Sequence, residues 1–183
     1  ELKKLTSIAK KYDLLIISDE IWSDITMKGF KTTSMIDAAS DYLDNIVVTT
    51  SASKTFNLAG LSCSNILIPN TSKKRDFIKE LEKAHLSINA LGFVGTKAAY
   101  KDGKPWMEEM LLVVEENYKY AKEFFEKNIK GSVVSPLEGT YVMWVDLRCL
   151  DLDKAKLESL MKDEALLYLT EGYVFGEEGI GFE

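Results

Sequence analysis

The chain has 183 residues, 46% of them hydrophobic and 28% charged, which is enough apolar material for one sizeable core and a small second unit. Lysine and arginine number 23 against 29 acids, a formal net charge of −6. An acidic chain without a basic stripe, a long apolar run or a compositionally biased tract argues against nucleic-acid binding, membrane partners and disorder.

Apolar residues recur at Leu2, Leu5, Ile8, Ala9 and Tyr12, which predicts a helix over residues 1–12 with one buried face. Leu14-Leu15-Ile16-Ile17 is a continuous apolar run and reads as a strand buried on both faces. It stops at Ser18-Asp19-Glu20. A helical stretch around Thr33 to Tyr42 leads to a second strand, Asn45 to Thr50. Strand, helix, strand in this order predicts a parallel α/β unit.

Leu61 to Ile68 reads as a third strand, closed by Pro69-Asn70. Thr71 or Ser72 is the expected cap of a helix whose face is Phe77, Ile78, Leu81 and Ala84. A glycine-bearing segment follows, from Asn89 to Gly103. Pro105 suits the first position of a long helix with Met110, Val114, Tyr118, Ala121 and Phe125 on one face, ending near Gly131. Beyond it the expectation is short strands at Ser132–Val134 and Thr140–Asp146, a helix from Asp153 to Lys162, and two closing strands. The fold class is therefore α/β, a parallel-rich sheet with helices followed by a small α+β domain. The expected division is 1–104, a connecting helix over 105–130, and 131–183.

Cys63 and Cys149 are far apart and lack metal-ligand spacing, so they read as reduced core thiols of a cytoplasmic protein. With His85 as its single histidine, the chain offers no zinc site. The aromatics Trp106, Tyr118, Phe124, Phe125 and Trp144 read as core.

In a parallel sheet, ligands collect beyond the carboxyl ends of the strands. Two polar clusters fall there, Ser18-Asp19-Glu20 and Thr49-Thr50-Ser51-Ala52-Ser53-Lys54. An ordinary ion pair at the sheet edge is the plainest account of them. Ser51-Ala52-Ser53-Lys54 also fits the S-x-x-K pattern of serine acylases, but the S-D-N and K-T-G partners of that pattern are missing. Ser53-Lys54-Thr55 lacks the glycines of a phosphate loop, and Gly176, Gly179 and Gly181 do not open a helix after a strand.

A third account rests on resemblance. Leu15-Ile16-Ile17-Ser18-Asp19-Glu20-Ile21-Trp22, with Thr50-Ser51-Ala52-Ser53-Lys54-Thr55-Phe56-Asn57-Leu58-Ala59-Gly60-Leu61, resembles the class I/II aminotransferase superfamily of fold type I. The run from Ser53 to Leu61 is most similar to its cystathionine β-lyase, or C–S lyase, subgroup. The likeness continues through Asn89-Ala90-Leu91-Gly92, Gly103 to Trp106, and Glu138 to Asp146, in the family's order over nearly the whole chain.

The resemblance implies pyridoxal 5'-phosphate as cofactor, an amino acid as substrate, and a homodimeric parent enzyme. It implies Lys54 as the cofactor-bearing lysine and acid/base at the substrate Cα, Asp19 as partner of the pyridine nitrogen, and Ile21 as packing against the ring. Ser51, assisted by Ser53, takes the place of the family's phosphate-contacting serine. Trp22 stands where many aminotransferases carry a tyrosine, and Ser62 where many carry a phosphate-binding arginine; both departures favour the lyase subgroup. The glycine-rich phosphate segment of the family has no counterpart here, and Gly181-Phe182-Glu183 resembles the element that precedes its substrate-binding arginine. The expectation is thus a fragment of a β-eliminating lyase. A transaminase and a non-catalytic interaction module are the alternatives.

Overall fold

The structure is a computed structural model and describes residues 1–182. It divides into two compact units, Glu1–Leu111 and Leu112–Glu183. No helix among the described residues is long and apolar enough to cross a membrane.

In the first unit, α1 (Leu2–Lys11) turns Thr6 and Ala9 inward and ends on Lys10 and Lys11, cations suited to the negative end of a helix. It leads to β1 (Ile16–Asp19). The one-turn helix α2 (Met35–Ala38) is capped by Ser34, whose hydroxyl accepts the Ile36 N–H. It is much shorter than the periodicity over 33–42 predicts, because Ala39 leaves the helical conformation and the chain enters an irregular turn. The strand β2 (Ile46–Thr50) follows.

The strands β1 and β2 are parallel, with Ile16 opposite Ile46 and Asp19 opposite Thr49. The strand β3 (Asn65–Leu67) joins β2 on its other side, antiparallel, with Thr50 opposite Asn65. One parallel and one antiparallel ladder thus make up this sheet. Its covered face carries the core, in which Ala9, Ile16, Met35, Ala39, Ile46 and Val48 pack with Ile36, Tyr42 and Leu43. The Tyr42 hydroxyl donates to the Leu14 carbonyl (3.0 Å), tying the strand entry to this core.

Burial on both faces of β1 is not what the structure has. Ile16 is buried, but Ile17 is 67% exposed, and Leu14 and Leu15 are also open. Successive strand residues face opposite sides, and the core lies on the side of Ile16, Ile46 and Val48. The strand β3 is exposed throughout.

Three further helices complete the unit's course. Asn70, not Thr71 or Ser72, caps α4 (Thr71–Lys83): its side chain accepts the Lys73 N–H at 2.9 Å. Asn89 caps α5 (Ala90–Asp102), so the glycine-bearing segment is helical. Gly92 is needed there because a Cβ would lie 2.8 Å from the Leu61 carbonyl oxygen, and the Asn89 amide donates to that same oxygen. The helix α6 (Lys104–Asn128) begins in the first unit and ends in the second. Its stop is followed by Gly131 at φ +90°, a left-handed position suited to glycine.

The second unit is a small α+β assembly. The strands β4 (Val133–Val134) and β5 (Val145–Asp146) pair antiparallel, shorter than predicted. Asp153 caps α7 (Lys154–Ser159), which continues as a π-helical turn over Leu160–Glu164. Val134, Val145, Leu147 and Leu157 form the core, joined by Tyr118, Phe125 and Met143. The two predicted closing strands are instead 3₁₀ turns at Gly172–Phe175 and Glu177–Gly179. Gly172 and Gly179 approach so closely that a Cβ on Gly179 would sit 2.0 Å from the Gly172 carbonyl oxygen. An isolated bridge of Phe182 to Asp146 is all the ladder that forms. Trp144 stacks on Phe182 and is half-buried, while Trp106 and Phe124 are half exposed and not core residues. Cys149 lies exposed on a 3₁₀ turn beside Gly131 and is not a core thiol; Cys63 is half-buried. Of the predicted Gly181-Phe182-Glu183 element, Glu183 lies outside the described residues.

Candidate functional site

Because β1 and β2 run parallel, their carboxyl ends emerge side by side, and both polar clusters start there. Asp19 is the last residue of β1. Past Thr50, Ser51 caps a one-turn helix, α3 (Ala52–Thr55), and Lys54 sits in its last turn. The Ser51 hydroxyl accepts the Ser53 N–H (3.1 Å) and donates to the Cys63 carbonyl (2.7 Å). This buried serine therefore joins the start of α3 to the segment that returns along β3. The cluster 49–54 thus contains a helical turn, with Ser51 at the N-cap position that serine favours.

A cavity of about 290 Å³ opens beside α3, lined by Ile21, Ser51, Ser53, Lys54, Ala59, Ser62, Cys63 and Ser64. Four of the six predicted site residues share it: Ile21, Ser51, Ser53 and Lys54. Ser62 adopts a left-handed backbone (φ +49°), which turns residues 62–64 back toward α3. Ser62 lies where the resemblance places a phosphate-binding arginine, eight residues after Lys54, and Cys63 follows it; Ser64 is the lining residue that sequence reasoning missed.

Asp19 and Trp22 are not among the lining residues. Asp19 is exposed, and its carboxylate accepts the Ile21 N–H at 3.2 Å, two residues along the loop. Trp22 reaches Lys54 from another side, with the lysine Nζ 5.3 Å from the indole ring centroid. A cation at this distance is attracted to the negative ring face.

Two other carboxylates, both missed by sequence reading, shape this loop. Glu20 Oε1 accepts from the Ser18 hydroxyl (3.0 Å), the Ser34 hydroxyl (3.2 Å) and the Met35 N–H (2.8 Å). Asp24 Oδ2 accepts from the Thr55 hydroxyl (3.0 Å), next to Lys54. Burial, and then the charge of Asp24, holds the Tyr100 phenol above its ordinary range. Phe56 packs edge-on to Tyr100 at 6.0 Å and against Trp106 at 6.2 Å, which backs α3 with aromatic surface.

The lining offers one amine, four serine hydroxyls and an isoleucine side chain. An amine attacks or carries a carbonyl carbon, hydroxyls hydrogen-bond phosphate oxygens, and an aliphatic side chain packs on a planar ring. Lys54 is the one cation in the lining of this cavity.

Comparison with known proteins places this geometry in context. The family model described as "Aminotransferase class I and II" matches residues 1–181. The chain is 31% identical to the cystathionine beta-lyase PatB of Bacillus subtilis, over all of this chain and 47% of that protein. Cystalysin from Treponema denticola, whose crystal structure contains a pyridoxal 5'-phosphate cofactor, superposes with a TM-score of 0.95 at 35% identity, covering 100% of this chain and 47% of cystalysin. A pyridoxal-phosphate-bound C–S lyase from Staphylococcus hominis superposes with a TM-score of 0.80 at 36% identity, over 88% of this chain and 41% of that one. The chain thus spans about half the length of the curated relatives it matches.

Proposed function

The chain belongs to the class I and II aminotransferase family, and on that premise we propose that it is part of a pyridoxal-5'-phosphate-dependent, β-eliminating C–S lyase of the cystathionine β-lyase kind. The observation that carries this reading is the cavity beyond the ends of two parallel strands, whose lining Lys54 shares with Ile21 and four serines. That donor set fits the cofactor: an amine for its carbonyl carbon, hydroxyls for its phosphate and an aliphatic side chain for its ring.

Pyridoxal 5'-phosphate, when bound, supplies an electron sink for negative charge at the substrate Cα. Lys54 would hold the cofactor's carbonyl carbon and would take the proton from Cα of an amino acid. Loss of that proton lets a thiolate leave from Cβ of a substrate such as cystathionine. Asp19 would hold a proton on the pyridine nitrogen; its support is its place at the end of β1 and the resemblance, since it does not line the cavity. Ile21 would pack against the ring. Ser53, Ser62 and Ser64 would donate to phosphate oxygens. Ser51 spends its proton on the Cys63 carbonyl, so it contributes to phosphate binding only on rotating away from that bond.

We further propose the division of 1–104 as cofactor-binding part, 105–130 as connecting helix and 131–183 as small domain, within a cytoplasmic, homodimeric full-length enzyme. Two free cysteines suit a reducing compartment.

The test is to incubate the chain with pyridoxal 5'-phosphate, reduce with borohydride and map the labelled peptide. Label on Lys54 is expected; a different lysine would refute the assignment. Pyruvate and ammonia released from cystathionine by the full-length enzyme are expected of the lyase. A keto acid formed only when an acceptor is added would move the reading to transamination.

A further inference from the structure

The loop that carries Trp22 is tied down on both sides. Upstream, Glu20 accepts three hydrogen bonds that link it to the end of β1 and the start of α2, and its own N–H donates to the Thr49 carbonyl of β2 (2.8 Å). Downstream, Asp24 accepts the hydroxyl of fully buried Thr55, the neighbour of Lys54. Just past the downstream tie, the Ile25 N–H donates back to the Trp22 carbonyl (3.0 Å), and the Ile25 side chain is itself buried. The backbone that carries Trp22 is thereby fixed, and its indole meets the lysine of the same short helix, with Nζ 5.3 Å from the ring centroid.

We propose that Trp22 is the positioning residue for the Lys54 amine: its indole face retains the ε-ammonium beside the cavity, and Glu20 and Asp24 fix the indole in place. This rests on the reading of Lys54 as the carbonyl-reactive amine. A lysine side chain turns about four bonds and, left alone, spreads over many rotamers. An attractive ring face narrows that spread toward one place. The indole N–H donates and cannot accept, so Trp22 acts on the ammonium through its face and not through an acceptor atom. The contact also gives the amine a resting place whenever it is not bonded to a carbonyl carbon.

The test uses pyridoxal without its phosphate, so that phosphate binding does not enter, with limiting cyanoborohydride and peptide mapping. Label at Lys54 is compared with label at the exposed Lys31 and Lys101. Because the ring face favours the charged ammonium over the neutral amine that labels, Trp22→Leu is expected to raise Lys54 label relative to Lys31 and Lys101 by about threefold, the size of an exposed cation–π contact. Trp22→Phe keeps a ring face and is expected to lie between. Asp24→Asn, which leaves the indole present but weakens its tie, is expected to raise the same ratio at an unchanged circular dichroism spectrum, and it decides the matter if Trp22→Leu does not fold. An unchanged or lower ratio in folded Trp22→Leu or in Asp24→Asn, or Phe behaving as Leu, would overturn the proposal and leave Lys54 as the reactive amine. No label at Lys54 in the parent chain or in any variant would instead overturn the reading of Lys54 itself.

Discussion

Replacing Glu20 with alanine tests whether the loop beyond β1 is held as described. One carboxylate oxygen accepts two serine hydroxyls and the Met35 amide. The hydroxyls of Ser18 and Ser34 are half-buried and can turn to water, so losing them costs about 0.5 kcal/mol each, at the low end for a hydrogen bond. The Met35 N–H cannot follow them, because Met35 is 4% exposed and opens α2; a buried donor left without a partner costs about 1–3 kcal/mol. Loss of a negative charge at a helix N-terminus adds about 0.3 kcal/mol, kept small because α2 is a single turn. The expected destabilisation is about 2–4 kcal/mol, a fall in urea midpoint of about 1–2 M at a slope near 2 kcal/mol per M. Glu20→Gln keeps an acceptor oxygen and is expected to lose less than half as much. Urea titration followed by tryptophan fluorescence suits the measurement, since Trp22 and Trp106 both lie in the first unit. An alanine variant within about 0.5 kcal/mol of the parent would refute the account, because a surface substitution costs no more than that.

Ile46 is fully buried in the first unit's core, so Ile46→Ala is expected to cost about 2–5 kcal/mol by thermal or urea unfolding, and a loss under about 1 kcal/mol would mean that the sheet face is not packed there. In the second unit, hydrogen bonds from the Arg148 guanidinium hold the Asp146 carboxyl below its usual range. A depressed carboxyl stabilises the fold above its unfolded value, and the stabilisation is lost as pH falls through the folded value. Stability followed by Trp144 fluorescence is therefore expected to drop on acidification below about pH 4, with Asp146→Asn flattening that drop; an unchanged acid limb in the variant would contradict it.

Local chemistry wrote much of this molecule legibly. The helical spacing from Leu2 to Tyr12 became α1, and the apolar run before Thr49 became β2, since side-chain period and β-branched content act within a few residues. The short helix under Lys54 was less visible, because a single turn has no period to detect. Its cap, Ser51, also matches the family's phosphate-contacting serine, and that likeness masks the capping role. The closing strands failed for a contact reason: Gly172 and Gly179 meet backbone to backbone, and a close approach between residues seven apart leaves no mark on hydropathy.

What the residues determined alone was the family resemblance, the lysine at 54 and the acid at 19, because motif order and residue type are properties of the chain itself. Only the tertiary structure decided which groups share a cavity. The left-handed turn at Ser62 brings 62–64 to Lys54, and pleating turns Ile17 to the open face while Ile16 packs in the core. It also decided that Glu20 and Asp24 are anchors, since their partners lie 14 to 31 residues away and become neighbours only once β1, α2 and α3 have packed together.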